Sequence, residues 1–320
     1  MSRSGAVAAF HPELLPLARL IPRFTFTERK RRWLRRVTAL RPAPRVPSLD
    51  DVVVEDRSAP GPAGAPVVPV RLYRPRHANG PVPALVWIHG GGMIIGDAVQ
   101  DQRANLALVR GLGIAVASVD YRLAPEHPFP APLDDCYAAL RWVWANADEL
   151  GVQPDRVAVG GASAGGGLAA GLALMAADRA EVPVVFQLLV YPMLDDRTTQ
   201  RTDVDDARLR LWNTASNDFG WASYLDGSGE DVSPYAAPAR REDLGGLAPA
   251  WLGVGTCDLF HDEGVAYARR LAAAGVATDL HVVLGGYHAF DMVQPRARVS
   301  REFRAGYVAA LRQALVDPPA

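Results

Sequence analysis

Short apolar runs alternate along this chain with longer stretches of helical periodicity. The runs fall at 84–88, 114–119, 156–159, 184–190, 250–254 and 280–284. Between and after them, 103–110, 133–149, 165–177, 262–274 and 296–315 repeat apolar residues every third or fourth position. Runs that are apolar throughout belong to strands buried on both faces. The pattern therefore predicts an α/β fold, with a mostly parallel central sheet covered by helices on both faces. Val52, Val53 and Val54 and the run 67–73 read as a pair of edge strands joined by a turn rich in Pro and Gly.

Two stretches break this rhythm. Residues 1–50 read as helical and irregular and are closed by Pro42, Pro44 and Pro47. Within them, 26–40 is basic, with Trp33, Leu34, Val37 and Leu40 near a helical repeat. Such a pattern suits a helix at a membrane surface. Its apolar stripe is short, however, and the reading favoured here is a helix packed over the body with its arginines in solvent. Residues 195–231 are polar, with Trp212, Phe219, Trp221 and Tyr224 scattered through them, and fall between two strands. They read as an insertion above the carboxyl edge of the sheet, where open α/β sheets bind ligands. The expected organisation is a cap segment at 1–50, a core in two parts at 51–194 and 232–320, and a cap insertion at 195–231.

Composition narrows the function classes. The 320 residues are 49% hydrophobic, enough for one large core or two modest ones. With 34 basic and 35 acidic residues, no whole-chain field favours nucleic acid or an anionic membrane. The two cysteines, Cys136 and Cys257, form neither a disulfide framework nor a Cys-x-x-Cys pair. Lys30 is the only lysine and lies within a charged run, Glu28 to Arg32. That removes Walker A, Schiff-base and Ser-x-x-Lys chemistries, each of which needs a lysine in a Gly-rich or apolar setting. The apolar segment at 6–10 is too short for a signal peptide, and no window is long enough for a spanning helix. A soluble, cytoplasmic protein without a stable membrane anchor is expected.

The strongest chemical signal is Gly161-Ala162-Ser163-Ala164-Gly165, placed directly after a strand and before a helix. A serine at the tip of so sharp a turn has its hydroxyl projected outward, and small neighbours are needed because the backbone is crowded there. The same glycines satisfy a dinucleotide pattern at 165–170, but within the helix instead of the turn, and no acidic residue closes the next strand. A second signal is His89-Gly90-Gly91-Gly92 after the run 84–88. Consecutive glycines at a strand end let backbone N–H groups face a cavity, which an oxyanion hole requires.

A nucleophilic serine needs a base, and the base needs an orienting acid. Of the seven histidines, His11 and His77 precede the sheet, His89 belongs to the glycine loop, and His127 is pinned between prolines. His261 begins a helix and His281 sits in a strand. His288 lies in a flexible loop after the final strand and has the required reach. Asp258 follows the run 250–254. Its rivals Asp262 and Glu263 fit better as first-turn helix residues favoured by the dipole. The chain order Ser163, Asp258, His288 is that of α/β-hydrolases.

These motifs are joined by Asp-Tyr-Arg-Leu-Ala-Pro-Glu-His-Pro-Phe-Pro-Ala at 120–131, Tyr191-Pro192, Asp258 with Asp262-Glu263-Gly264, and Gly286-x-His288. Over residues 50–310 the chain resembles the hormone-sensitive-lipase-like esterases. The resemblance implies an α/β-hydrolase core with a helical cap, Ser163 as nucleophile, His288 as base and Asp258 as orienting acid. It also implies oxyanion donors from the N–H groups of Gly91, Gly92 and Ala164. Two residues depart from the pattern. Ala162 stands where an acidic residue or threonine is usual, and Met93 where an aromatic is common, which bears on the acyl pocket.

The leading expectation is a serine carboxylesterase that hydrolyses short- to medium-chain esters through an acyl-enzyme, with no metal or organic cofactor. The alternatives are a small-molecule receptor on the same fold and an amide or peptide hydrolase. The expected partner is a small ester, with no nucleic acid; a homodimer could form through 280–315. The aromatics Trp33, Trp212, Phe219, Trp221 and Tyr224 suggest a partly apolar acyl pocket.

Overall fold

Eight strands form one sheet in the order β1-β2-β4-β3-β5-β6-β7-β8. They span Val52–Ala59 (β1), Val68–Pro75 (β2), Val82–Ile88 (β3), Ala115–Val119 (β4), Val152–Ala162 (β5), Gln187–Val190 (β6), Ala250–Cys257 (β7) and Thr278–Tyr287 (β8). The computed structural model describes residues 10–22, 24–40, 46–62, 64–226 and 231–317. Pro42, Pro44 and the segment 6–9 lie outside the described residues. The β1–β2 and β2–β4 pairs are antiparallel and every other pair is parallel.

β4 and β6 are buried at every position, as their unbroken apolar runs require, whereas β1 at the sheet's edge alternates. The run 67–73 was expected at an edge but lies one strand in, between β1 and β4. β5 outruns the expected 156–159 at both ends, because neither the exposed Pro154 and Asp155 before it nor Gly160 and Gly161 after it carry an apolar signal. β6 uses only the last four residues of the run 184–190.

The helices are Leu15–Ala18 (α1), Glu28–Ala39 (α2), Gln102–Leu112 (α3), Ala131–Ala145 (α4), Ala147–Leu150 (α5), Ala164–Arg179 (α6), Thr214–Tyr224 (α7), His261–Ala273 (α8), Phe290–Val293 (α9) and Arg298–Leu311 (α10). The stretch expected as one helix at 133–149 breaks at Asn146, and the one at 296–315 ends in a wider turn, Arg312–Val316. α6 is buried from Ala164 to Ala176, and its small residues let it lie close on the sheet. Its Gly167 and Gly171 touch the backbone of Met193 and Tyr235.

Parallel strands bring their carboxyl ends to one edge, and this positions the site. Cys257 of β7 pairs with Tyr287 of β8, so the residues that follow them, Asp258 and His288, emerge side by side. β5 ends at the same edge.

Candidate active site

Ser163 occupies the turn between β5 and α6 at φ +59°, a left-handed conformation that ordinarily costs a non-glycine residue energy. Its neighbours hold it there. The Ser163 N–H donates to the Val190 carbonyl at 2.9 Å, while its own carbonyl accepts from Met193 at 3.0 Å and Gly167 at 3.1 Å. The flanking glycines lie against β3. A methyl group on Gly161 would come within 2.6 Å of the Ile88 carbonyl oxygen, and one on Gly165 within 2.1 Å of it. Glycine is required at both for close approach of backbones, not for flexibility.

The His288 Nε2 lies 2.9 Å from Ser163 Oγ, and its Nδ1 lies 2.8 Å from Asp258 Oδ2. The second oxygen of Asp258 accepts the Phe260 N–H at 3.0 Å, which fixes the carboxylate. The imidazole sits between the rings of Tyr191 and Phe260, at 5.0 and 5.3 Å, both edge-on. The three side chains named from the sequence are thus in one hydrogen-bonded line, with Ser163 only 7% exposed. Asp262 and Glu263 are not in that line.

Gly91 and Gly92 adopt φ of +120° and +60° at the end of β3, and Ala164 opens α6. Among the described residues none of their three N–H groups has a hydrogen-bond acceptor within the protein. They remain available to a developing anion, and the dipole at the start of α6 adds positive potential. The loop is held from behind by His89. Its ring stacks on Tyr121 at 4.2 Å and its Nδ1 lies 2.8 Å from the Gly90 carbonyl. Burial pushes the His89 imidazole down to about 4, so the ring is neutral near pH 7.

Trp212 closes the front of the loop, its ring against Gly92, with Gly220 of α7 packed beside it. The N-terminal segment and the 195–231 segment are joined to each other. Phe26 meets Trp212 at 5.5 Å, Asn213 donates to Thr25, and the Phe26 N–H donates to Ser216. Two surface clefts, of about 340 and 290 Å³, are lined by residues such as Ala173 and Val182 or Asp97 and Asp120, and neither touches Ser163. Among the described residues no group of three His, Cys, Asp or Glu side chains converges to hold a metal ion.

The comparisons with known proteins agree with this geometry. Residues 85–292 match the family model described as alpha/beta hydrolase fold. The chain is 39% identical over 273 residues to the carboxylesterase NlhH of Mycobacterium tuberculosis, covering 83% of this chain and 84% of that one. It is 40% identical over 263 residues to the carboxylic ester hydrolase LipN of the same organism, covering 80% and 68%. A bacterial heroin esterase structure superposes with a TM-score of 0.88 at 42% identity, covering 97% of this chain and 99% of that one. The chain belongs to the α/β-hydrolase fold family, in its hormone-sensitive-lipase-like group.

Several features of this α/β-hydrolase escaped the sequence. Glu263 stands in the first turn of α8, as expected, and is buried there. Its carboxyl accepts the Leu194 N–H at 2.6 Å and the Thr198 hydroxyl, tying α8 to the start of the 195–231 segment. Burial pushes that carboxyl up to about 8, against the pull of these donors. Tyr191, at φ +35°, donates its hydroxyl to the buried Asp291 at 3.1 Å while packing on His288. Nothing in the local sequence marks either contact, since both join positions roughly 70 or 100 residues apart.

The aromatic set divides. Trp212, Trp221 and Tyr224 are buried and Phe219 is partly so. Trp33 is 65% exposed and points away from the site, so it is no part of an acyl pocket. Its direction follows from the opposite face of α2, where Arg31 and Arg35 reach Glu126. Met93 has no exposed surface, and its carbonyl accepts the Ala124 N–H at 2.9 Å. It supports the loop from within instead of lining an open pocket.

Proposed function

We propose that Ser163, His288 and Asp258 hydrolyse carboxylic esters, the activity named for NlhH and LipN, and do so through an acyl-enzyme intermediate. The observation that carries this reading is the unbroken hydrogen-bonded line from Asp258 through His288 to Ser163. As Ser163 Oγ attacks the ester carbonyl, His288 Nε2 takes its proton, and Asp258 stabilises the imidazolium and keeps its Nδ1–H oriented. The N–H groups of Gly91, Gly92 and Ala164 hold the tetrahedral oxyanion. The alcohol departs with the proton from Nε2, and water then attacks the acyl-enzyme by the same route. No metal or organic cofactor enters these steps.

The cap contacts around Trp212 support short to medium acyl chains, because its ring already fills space beside Gly92. A cytoplasmic location is supported by two buried free thiols, and among the described residues no helix is long and apolar enough to cross a membrane. Dimerisation through β8 is supported by its place at the sheet's edge, where Val282 and Leu284 are exposed.

The deciding experiment is Ser163→Ala assayed on a p-nitrophenyl ester, with a fluorophosphonate as a label. Turnover should fall by about 10⁴-fold or more and labelling should vanish, with the fold retained. Undiminished turnover or labelling rules Ser163 out as the nucleophile. An unlabelled, inactive parent protein favours a receptor, and faster cleavage of a matched anilide favours an amidase.

A further inference from the structure

We propose that the outer face of α2 docks reversibly on an anionic lipid surface. The helix is fixed in orientation by its inner face. Arg31 is buried and reaches Glu126 at 2.8 Å, and Arg35 donates to the carbonyls of Ile94 and Ala124 and pairs with Glu126. What faces outward follows from the helical repeat. Arg29, Trp33, Arg36 and Leu40 stand at i, i+4, i+7 and i+11 and form one stripe. The Leu40 N–H donates to the Arg36 carbonyl, so the repeat extends to the stripe's end.

Both apolar members are in water, Trp33 at 65% and Leu40 at 85% exposure. Neither Arg29 nor Arg36 makes an ion pair among the described residues. Lys30, at one flank, lies 4.2 Å from the ring of the partly exposed Phe24. The order cation, aromatic, cation, aliphatic along one line matches the boundary between headgroups and acyl chains. Indole rings settle at that level and arginines meet phosphate there.

The chemistry favours a lipid over a protein partner. The stripe is one side chain wide and has no groove or knob to fit a folded surface, while its charge complements anionic headgroups. The whole chain, α2 included, has a net charge of only −1, so attachment is local, weak and salt-sensitive. Docking there has a catalytic consequence under the esterase reading. Ile94, which Arg35 holds, donates its N–H to the Gly91 carbonyl, so the oxyanion loop lies about one helix diameter (roughly 10 Å) from the bilayer. Esters dissolved in the membrane would then be concentrated near the enzyme.

The test is co-sedimentation of the full chain with phosphatidylcholine vesicles, with and without about 30% phosphatidylserine, at low and high salt. Anionic vesicles should bind at least about tenfold more tightly than neutral ones at low salt, and high salt should abolish the difference. R29E/R36E should bring binding down to the neutral level, and W33S should weaken it severalfold. Both variants should hydrolyse a soluble short ester at the parent rate, which also reports that they are folded. Equal binding of the parent protein to neutral and anionic vesicles overturns the proposal, whatever the variants do. So does equally tight capture by poly-glutamate that W33S leaves unchanged, which would mark an acidic protein partner. Because binding is read without turnover, its failure is distinct from failure of the esterase reading.

Discussion

The indole of Trp212 rests on the α-carbon of Gly92, so closely that a methyl group there would lie 2.2 Å from the ring's Cη2. Gly92→Ala therefore meets two obstacles, the ring and a φ of +60°. The expected loss in kcat/KM on a p-nitrophenyl ester is at least about 10²-fold, the scale of losing one oxyanion donor. Adding Trp212→Leu should recover the steric part and leave the backbone part, about 1–2 kcal/mol. Additive losses in the double variant would show that the two residues do not communicate.

Asp258→Asn should keep the fold and lower kcat by about 10⁴-fold while changing KM little, because an amide permits the wrong tautomer of His288. Steady-state kinetics on one soluble ester decides it. A loss below tenfold would remove Asp258 from the orienting role.

Glu263 makes a pH prediction with a definite sign. Its carboxyl is raised to about 8 by burial, against an ordinary 4.5. Between those values the folded chain holds a proton that the unfolded chain has released, so stability falls as pH rises through that window and levels off above it. The slope is at most about 1.4 kcal/mol per pH unit. Glu263→Gln keeps an acceptor for the Leu194 N–H and should flatten the slope, measured by urea unfolding across the window. An unchanged slope would mean that Glu263 is not its source.

The arginine pair that seats α2 acts through Glu126, which is itself half exposed. Glu126→Gln should weaken the seat by about 1 kcal/mol or less, as exposed ion pairs do. Hydrogen exchange in α2 should quicken by up to about fivefold while the global melting point stays put. Uniform acceleration through the sheet would contradict a local seat.

Much of this was legible in the chain itself. The alternation of apolar runs and helical periods located the parallel sheet, since strands covered on both faces have no polar positions to hide them. Ser163, Asp258 and His288 could be named because each follows a strand on one shared edge, a constraint of topology and not of spacing. What stayed hidden depends on distant contacts. Glu263 reads as an ordinary first-turn acid until Leu194 and Thr198 fold over it. The short length of β6 reflects which neighbours its residues meet. Trp33 looked like a pocket aromatic because composition carries no information on direction; only the inward grip of Arg31 and Arg35 turns it outward.

The ring of His288 is boxed between Tyr191 and Phe260, both fully enclosed by the protein. Flanked by these rings and held at Nδ1 by Asp258, the imidazole is placed to serve each reacting oxygen from one position. The leaving alcohol and the incoming water must each travel to the same nitrogen. Under the proposed mechanism small molecules move past a base held in place, and an alcohol too bulky to reach that spot is penalised in its departure as much as in its arrival.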